Sequence, residues 1–241
     1  MPLPTIATPT YELTLPSSGK KVKYRPFLVK EEKVLILALE SQNQSDITNA
    51  VKDVLKKCIM TRGVKVDSLP TFDIEYIFLN IRAKSIGEDI KMTVTCPDDG
   101  VTQVPVTLYV DEIKVIKPKD HKTDIVLDDK MTLRMKYPSL NQFIENNFTT
   151  TDNSEEVVNK SFKVVADCMD TIYTEEDAWD VNDYTPSERI EFVEKLSSKQ
   201  YKEVEKFFAT MPKLSHTIEV INPNTKEKGS VVLEGLADFF G

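Results

Sequence analysis

Met92-Thr-Val-Thr-Cys96-Pro97-Asp98-Asp99-Gly100-Val-Thr-Gln-Val-Pro-Val-Thr-Leu108 holds the plan of the fold in one stretch. Ile90, Met92 and Val94 alternate with polar residues before Cys96, and Val104, Val106, Leu108 and Val110 alternate after Gly100. A period of two predicts two strands, each with one buried face. Cys-Pro-Asp-Asp-Gly between them supplies turn chemistry, because Asp caps nearby amides and Gly accepts a left-handed backbone. Cys-Pro at a tight turn is also how one half of a zinc knuckle begins. The second cysteine should follow about two residues on, and Asp99 stands there.

The stretch has a partner near the other end of the chain, His216-Thr-Ile-Glu-Val-Ile-Asn222-Pro223-Asn-Thr225-Lys-Glu-Lys-Gly-Ser-Val-Val-Leu233-Glu-Gly-Leu236. Val-Thr-Cys96-Pro97 aligns with Val-Ile-Asn222-Pro223. Leu108 lies twelve residues after Cys96, and Leu233 eleven after Asn222. A helical pattern ends shortly before each hairpin. The expectation is an α+β chain with two copies of a helix-then-hairpin unit, degenerate and zinc-ribbon-like, against a chance match of short motifs. Structural zinc takes four ligands, mostly Cys and His. Cys96 with Asp98 and Asp99 is a poor shell, and His121 and His216 lack ligand spacing to it, so the expectation is a plain hairpin turn with no metal and no cofactor.

Composition narrows the function classes. The 241 residues are 40% hydrophobic and 29% charged, with a net charge of −8 and only 7 glycines. Such a chain has no general attraction for nucleic acid or anionic membrane, and neither is expected as a partner. Cys58, Cys96 and Cys168 are widely spaced and odd in number, which points to a reducing compartment. The opening MPLPTIATPTYELTLPSSG has neither a basic region nor an apolar run of signal-peptide type, so the chain is expected to fold in a cytosol.

Outward from the two hairpins, residues 1–9 form an extended arm, and Tyr11–Leu15 and Val22–Phe27 form a hairpin around Pro16-Ser-Ser-Gly19. Helices are predicted over Glu31–Glu40, with Val34, Leu35, Leu37, Ala38 and Leu39 as its apolar stripe, from a cap at Asp46 to Met60, and from Asp67-Ser-Leu-Pro70 to Ser85. Short strands are expected at 113–116, 123–127 and 131–136. Ser139–Phe148 reads as a helix, Thr149–Ser154 as a loop and Glu155–Met169 as a longer helix. Asp170–Asp183 reads as an acidic surface loop with one strand-like piece. A helix opens at Thr185-Pro-Ser-Glu188, and a last one, capped by Ser198, ends near Pro212. Three segments result: 1–28, 29–137 and 138–241.

No phosphate-binding glycine loop, His-Glu-x-x-His, Gly-x-Ser-x-Gly or Cys-x-x-Cys occurs. His121 lies in a charged loop and His216 beside Ser215, and both read as solvent-facing or capping. Glu175-Glu-Asp177 and Asp128–Asp129 read as solvated faces. The chain is therefore expected to be a non-enzyme. Leu233, Leu236, Phe239 and Phe240 make the final stretch unusually apolar, and two readings stand: a short helix packed on its own hairpin, or a patch offered to a partner. The N-terminal hairpin is a second candidate surface through edge-strand pairing.

Tyr11-Glu-Leu-Thr-Leu-Pro16, Tyr24-Arg-Pro-Phe27-Leu, Lys30-Glu-Glu-Lys33-Val-Leu, Ile81-Arg-Ala-Lys-Ser-Ile-Gly-Glu88, Thr-Cys96-Pro97, Met135-Lys-Tyr-Pro-Ser139 and Phe207-Phe-Ala-Thr-Met-Pro-Lys-Leu-Ser-His216 together resemble the baseplate hub protein family of T4-like tailed phages. The likeness spans nearly the whole chain, and that family includes a hub subunit, the nearer match, and a hub assembly catalyst. It implies no catalytic residues. It implies a structural or assembly role in building the hub of a contractile-tail baseplate, in host cytoplasm during assembly and in the virion tail baseplate. Its implied partners are other hub and tail proteins, the tape-measure protein among them. The alternatives are a transient assembly chaperone absent from the mature virion, a degenerate zinc-ribbon adaptor for nucleic acid or a polymerase, and an unrecognised hydrolase using His216 or an acidic pair.

Overall fold

The computed structural model describes residues 6–41, 43–139, 142 and 154–240. The first half runs β1 (Tyr11–Thr14), β2 (Lys21–Tyr24), α1 (Val29–Glu40), α2 (Gln44–Cys58), α3 (Thr71–Ser85), β3 (Asp89–Thr95), β4 (Gln103–Tyr109) and β5 (Lys114–Ile116). Then come β6 (Asp124–Val126), β7 (Thr132–Met135), α4 (Ser154–Cys168), β8 (Met169–Tyr173), β9 (Ala178–Asp180), α5 (Pro186–Glu194), α6 (Ser198–Ala209), β10 (Lys213–Ile221), β11 (Lys228–Glu234) and α7 (Gly235–Phe240). Small antiparallel sheets among helices make this an α+β fold. The expected helix Ser139–Phe148 and the loop after it lie almost wholly outside the described residues.

Contacts divide the chain into two interleaved units. The first comprises Met1–Val66, Phe72–Ile116 and Lys213–Gly241, and the second Asp67–Thr71 and Lys117–Pro212. These units part near residues 116 and 212. The reason is pairing across a long separation: β10 is the middle strand of a three-stranded sheet, β11-β10-β5, and Ile116 is the register partner of Lys213.

In the first unit α3 is buried on nearly all sides, with Phe72, Ile74, Ile77, Phe78, Leu79, Ile81 and Ala83 inside. Its first turn also holds the β1–β2 turn. Asp73 is fully buried and accepts the Ser17 amide at 3.0 Å and the Ser17 hydroxyl. Burial pushes the Asp73 carboxyl up, and the two Ser17 bonds oppose it. Beside it α2 buries Ala50, Val51, Val54, Leu55 and Cys58, the face the sequence pattern selects. Its cap is Asn43, three residues before Asp46, because Asn43 Oδ1 accepts the Ser45 and Asp46 amides at 2.9 and 3.3 Å.

The second unit is a four-stranded sheet in the order β6-β7-β8-β9, sharing one core with α4, α5 and α6. The acidic segment after 170 therefore holds two strands, not one strand-like piece. Thr171-Ile-Tyr173 suits a strand, and Thr174 closes the turn by accepting the Asp177 amide at 3.0 Å. Glu175, Glu176 and Asp177 sit in the turn between the two strands, where they do not interfere with pairing. Thr185 and Glu188 form the capping box expected for α5. In α6 the box uses Ser197 and Gln200, one residue earlier than expected.

Replacing Lys117–Pro212 by Asn-Gly, a two-residue turn suited to antiparallel strands, is expected to join β5 to β10 as a simple hairpin. The shortened protein should unfold cooperatively, with slow amide exchange in β3, β4 and β10. Asp73→Ala should cost about 1–3 kcal/mol in denaturant unfolding, because it leaves the Ser17 donors unpaired. It should also remove a pH dependence. The native carboxyl titrates above its ordinary 3.8, so the folded chain gains stability as pH falls through that raised value.

Candidate functional site

The two hairpins predicted as copies share their register. Ile90 pairs with Leu108 and His216 with Leu233. Ile90 and His216 lie six residues before Cys96 and Asn222, and Leu108 and Leu233 lie six residues after Thr102 and Glu227. The Cys96 amide donates to Thr102 O at 2.7 Å, and the Asn222 amide to Glu227 O at 3.0 Å. The one-residue difference in spacing thus falls in the tips, 97–101 against 223–226. Both tips turn alike: the Gly100 amide donates to Cys96 O at 3.0 Å and the Lys226 amide to Asn222 O at 2.9 Å. Both fourth positions are left-handed, Gly100 at φ 67° and Lys226 at φ 66°. Lys226 bears a side-chain penalty of about 1–2 kcal/mol there, and its Nζ donates to Pro223 O at 2.7 Å.

The hairpins also meet. Val94, Cys96 and Leu108 share a core with Ile218, Val220 and Leu233, and α3 contributes Leu79 and Ala83. The preceding helices do not match so well: α6 buries Val204 and Phe207 in the second unit. The correspondence is therefore one of hairpins, and only the first has its preceding helix in the same core.

At the tips, the buried Asn222 Nδ2 donates to Asp98 Oδ1 at 3.1 Å, Asp98 Oδ2 at 3.0 Å and Asp99 Oδ2 at 2.9 Å. Thr225 Oγ1 donates to Asp98 Oδ2 at 2.6 Å, and Asn224 Nδ2 to Thr102 Oγ1 at 3.0 Å. Asp99 Oδ1 also accepts the Val101 and Thr102 amides at 3.0 and 2.9 Å. Hydrogen bonds from Thr225 and Asn222 pull the Asp98 carboxyl below its ordinary range. Those from Thr102, the Val101 and Thr102 amides and Asn222 do so for Asp99. Both carboxylates therefore stay charged at neutral pH, which strengthens each bond they accept. Burial, then Asp98 and Asp99, push the Cys96 thiol up. Among the described residues no group of three His, Cys, Asp or Glu could hold a metal ion. A methyl at Gly229 would lie 2.5 Å from Pro97 Cγ, so only glycine lets the second hairpin close over the first tip.

His121 is buried, where the sequence suggested a solvent-facing or capping residue. Nδ1 lies 3.0 Å from Thr210 Oγ1 and Nε2 2.9 Å from Tyr137 OH. Thr210 Oγ1 already donates to Lys206 O at 2.7 Å, so Nδ1–H is the donor and Nε2 the acceptor of a neutral ring. The ring also packs on Phe207, with centroids 5.3 Å apart. The charged neighbours in its loop masked an apolar site formed by residues far along the chain. His121 and Thr210 lie close to the two ends of the Lys117–Pro212 segment and tie them together.

His216 is half-buried on β10 opposite Leu233. Asp128 caps the β6–β7 turn by accepting the Lys130 and Met131 amides, both at 2.8 Å. Burial pushes the Cys58 and Cys168 thiols up to about 11 and about 12. At the chain's apolar end, Leu233 and Phe239 point into the hairpin core. Both are buried there, because the packed hairpins give them an apolar surface to cover. The side chains of Leu236 and Phe240 lie outside the described residues.

A surface that sequence reasoning missed lies on α1. Its Val34 and Leu37, expected to face inward, are exposed, as are Val29 and Ile36. Glu31 instead turns inward, accepting the Leu28 amide at 2.7 Å and pairing with Arg25 at 3.2 Å. The run Val34-Leu-Ile-Leu-Ala is apolar around the whole helix, so periodicity could not select its buried side.

Gly229→Ala should destabilise by about 1–3 kcal/mol in urea titration, as overpacking does. Asn222→Ala should speed exchange of the Asn224 and Thr225 amides, which Asn222 Oδ1 holds at 2.9 and 3.4 Å. A pH series should show His121 as well. Its folded value is lowered from 6.5, first by burial and then by Lys117, so its contribution is full above that pH and shrinks as pH falls towards the lowered value. In His121→Phe this slope should vanish.

No curated protein and no solved structure matches the chain. The sequence pattern of the family described as T4 bacteriophage base plate protein matches residues 8–241. That match covers both hairpins, their tips and every element of the two units, and the chain belongs to the T4 bacteriophage base plate protein family.

Proposed function

We propose that this baseplate protein is a hub subunit that works by protein–protein contact, without bond chemistry, during contractile-tail assembly. The observation that carries the reading is the outward apolar face of α1. Val29 is 80% exposed, Leu37 55% and Ile36 49%, with Val34 beside them. Surface apolar residues scattered singly are ordinary, whereas several on one short helix mark a place where another surface fits. The chain's acidic balance suits assembly among proteins in host cytoplasm. Other hub and tail proteins are the partners this reading implies, the tape-measure protein among them.

Mass spectrometry of purified virions and of tail intermediates tests the assignment. A fixed copy number in virions supports a hub subunit, and presence in intermediates alone supports a transient assembly chaperone. A phage carrying Ile36→Asp with Leu37→Asp tests the surface. The variant should fold with stability within about 0.5 kcal/mol of wild type, as exposed substitutions do, while hub assembly stalls. Normal tails from that phage would remove α1 as the docking face.

A further inference from the structure

The two tips carry the same five-residue plan, Cys96-Pro-Asp-Asp99-Gly100 and Asn222-Pro-Asn-Thr225-Lys226. In each, the first and fourth residues have the Cys-x2-Cys spacing with which two knuckles hold one tetrahedral ion. The backbone keeps the corresponding form, with the fifth residue left-handed at φ 67° and 66° and its amide returned to the first residue's carbonyl. Asn222 Oδ1 accepts the amides two and three residues on, the donors that a ligating sulfur at position 222 would face. The tips then meet through the side chains that a shared ion would join: Asn222 Nδ2 reaches Asp99 Oδ2 at 2.9 Å, and Thr225 shares Asp98 with Asn222 at 2.6 Å. Gly229 lets Pro97 approach to a distance no other residue permits.

We propose that the Asp98–Asp99–Asn222–Thr225 clasp stands in the place of a four-ligand zinc centre, and that the paired tips retain the geometry to hold the ion once sulfur ligands are restored. Positions 96, 99, 222 and 225 are the ligand positions, and Cys96 already carries the right atom. In the native chain a carboxylate–amide network joins the hairpins with no ion, so folding is independent of zinc supply. The amide at 222 and the hydroxyl at 225 are not among the Cys, His and carboxylate ligands that Zn²⁺ takes.

The test compares the full-length wild type with Asp99→Cys/Asn222→Cys/Thr225→Cys, both purified under reducing conditions and given Zn²⁺ or Co²⁺. The triple variant should take up one equivalent of zinc. With cobalt it should show the intense visible bands of a tetrahedral thiolate site, and chelator should lower its melting temperature. The wild type should take up no stoichiometric zinc and melt identically with and without chelator. Stoichiometric zinc in the wild type, or a folded triple variant that binds none, overturns the proposal. Should the triple variant not fold, Asn222→Cys alone pairs a new thiol with Cys96, and Hg²⁺ added to the folded protein should bridge the two. Mass spectrometry showing Hg²⁺ on neither thiol, or on only one, would equally overturn it.

Discussion

The closure of the β10–β11 hairpin over the β3–β4 tip is the constraint on which the first unit rests. Asn222 and Asp98 are brought together from 124 residues apart in sequence. Their bond joins a core that holds Ile90, Leu108, Leu214, Leu233 and Phe239. Charge-assisted bonds at the tips set the angle and register of that core, and the burial of its apolar side chains supplies most of the free energy. The absence of a side chain at Gly229 is what allows both contributions at once.

Long-range closure of this kind is ordinarily slow and entropically unfavourable, though the penalty grows only logarithmically with loop length. Here much of it is met inside the second unit. His121 and Thr210 tie the ends of the 117–212 segment, leaving only a few residues on either side before the paired strands β5 and β10 begin. A neutral buried histidine suits this position, because its two nitrogens satisfy a donor and an acceptor from different elements. A charged residue there would lack compensation.

Much of the fold was legible from local signals. Alternation gave β3, β4 and β10, Thr185-Pro-Ser-Glu188 gave the start of α5, and the Cys96-Pro and Asn222-Pro alignment gave the two tips. What was not legible depends on tertiary choice. Val34 to Ala38 of α1 are apolar on every side, so the buried face is chosen by Glu31 turning in to Arg25. The burial of His121 depends on Phe207 and Tyr137, and no local pattern encodes it. The meeting of the tips was implicit in their equivalence, but equivalence alone does not place two hairpins in one core. At the apolar end, Leu233 and Phe239 lie in the core of the chain's own hairpins.

The interleaving of the units sets an order in time. During synthesis every residue of the second unit, 67–71 and 117–212, is made before Lys213, whereas the first unit waits for β10 and β11. Translation at about 5–20 residues per second is slow beside the microseconds in which hairpins form. A ribosome that stops before Asn222 leaves β3 and β4 with no hairpin to cover them and α3 with part of its core open to water. A truncated chain therefore leaves this apolar surface uncovered, and the clasp between Asn222 and Asp98 can form only in a chain read through the second hairpin.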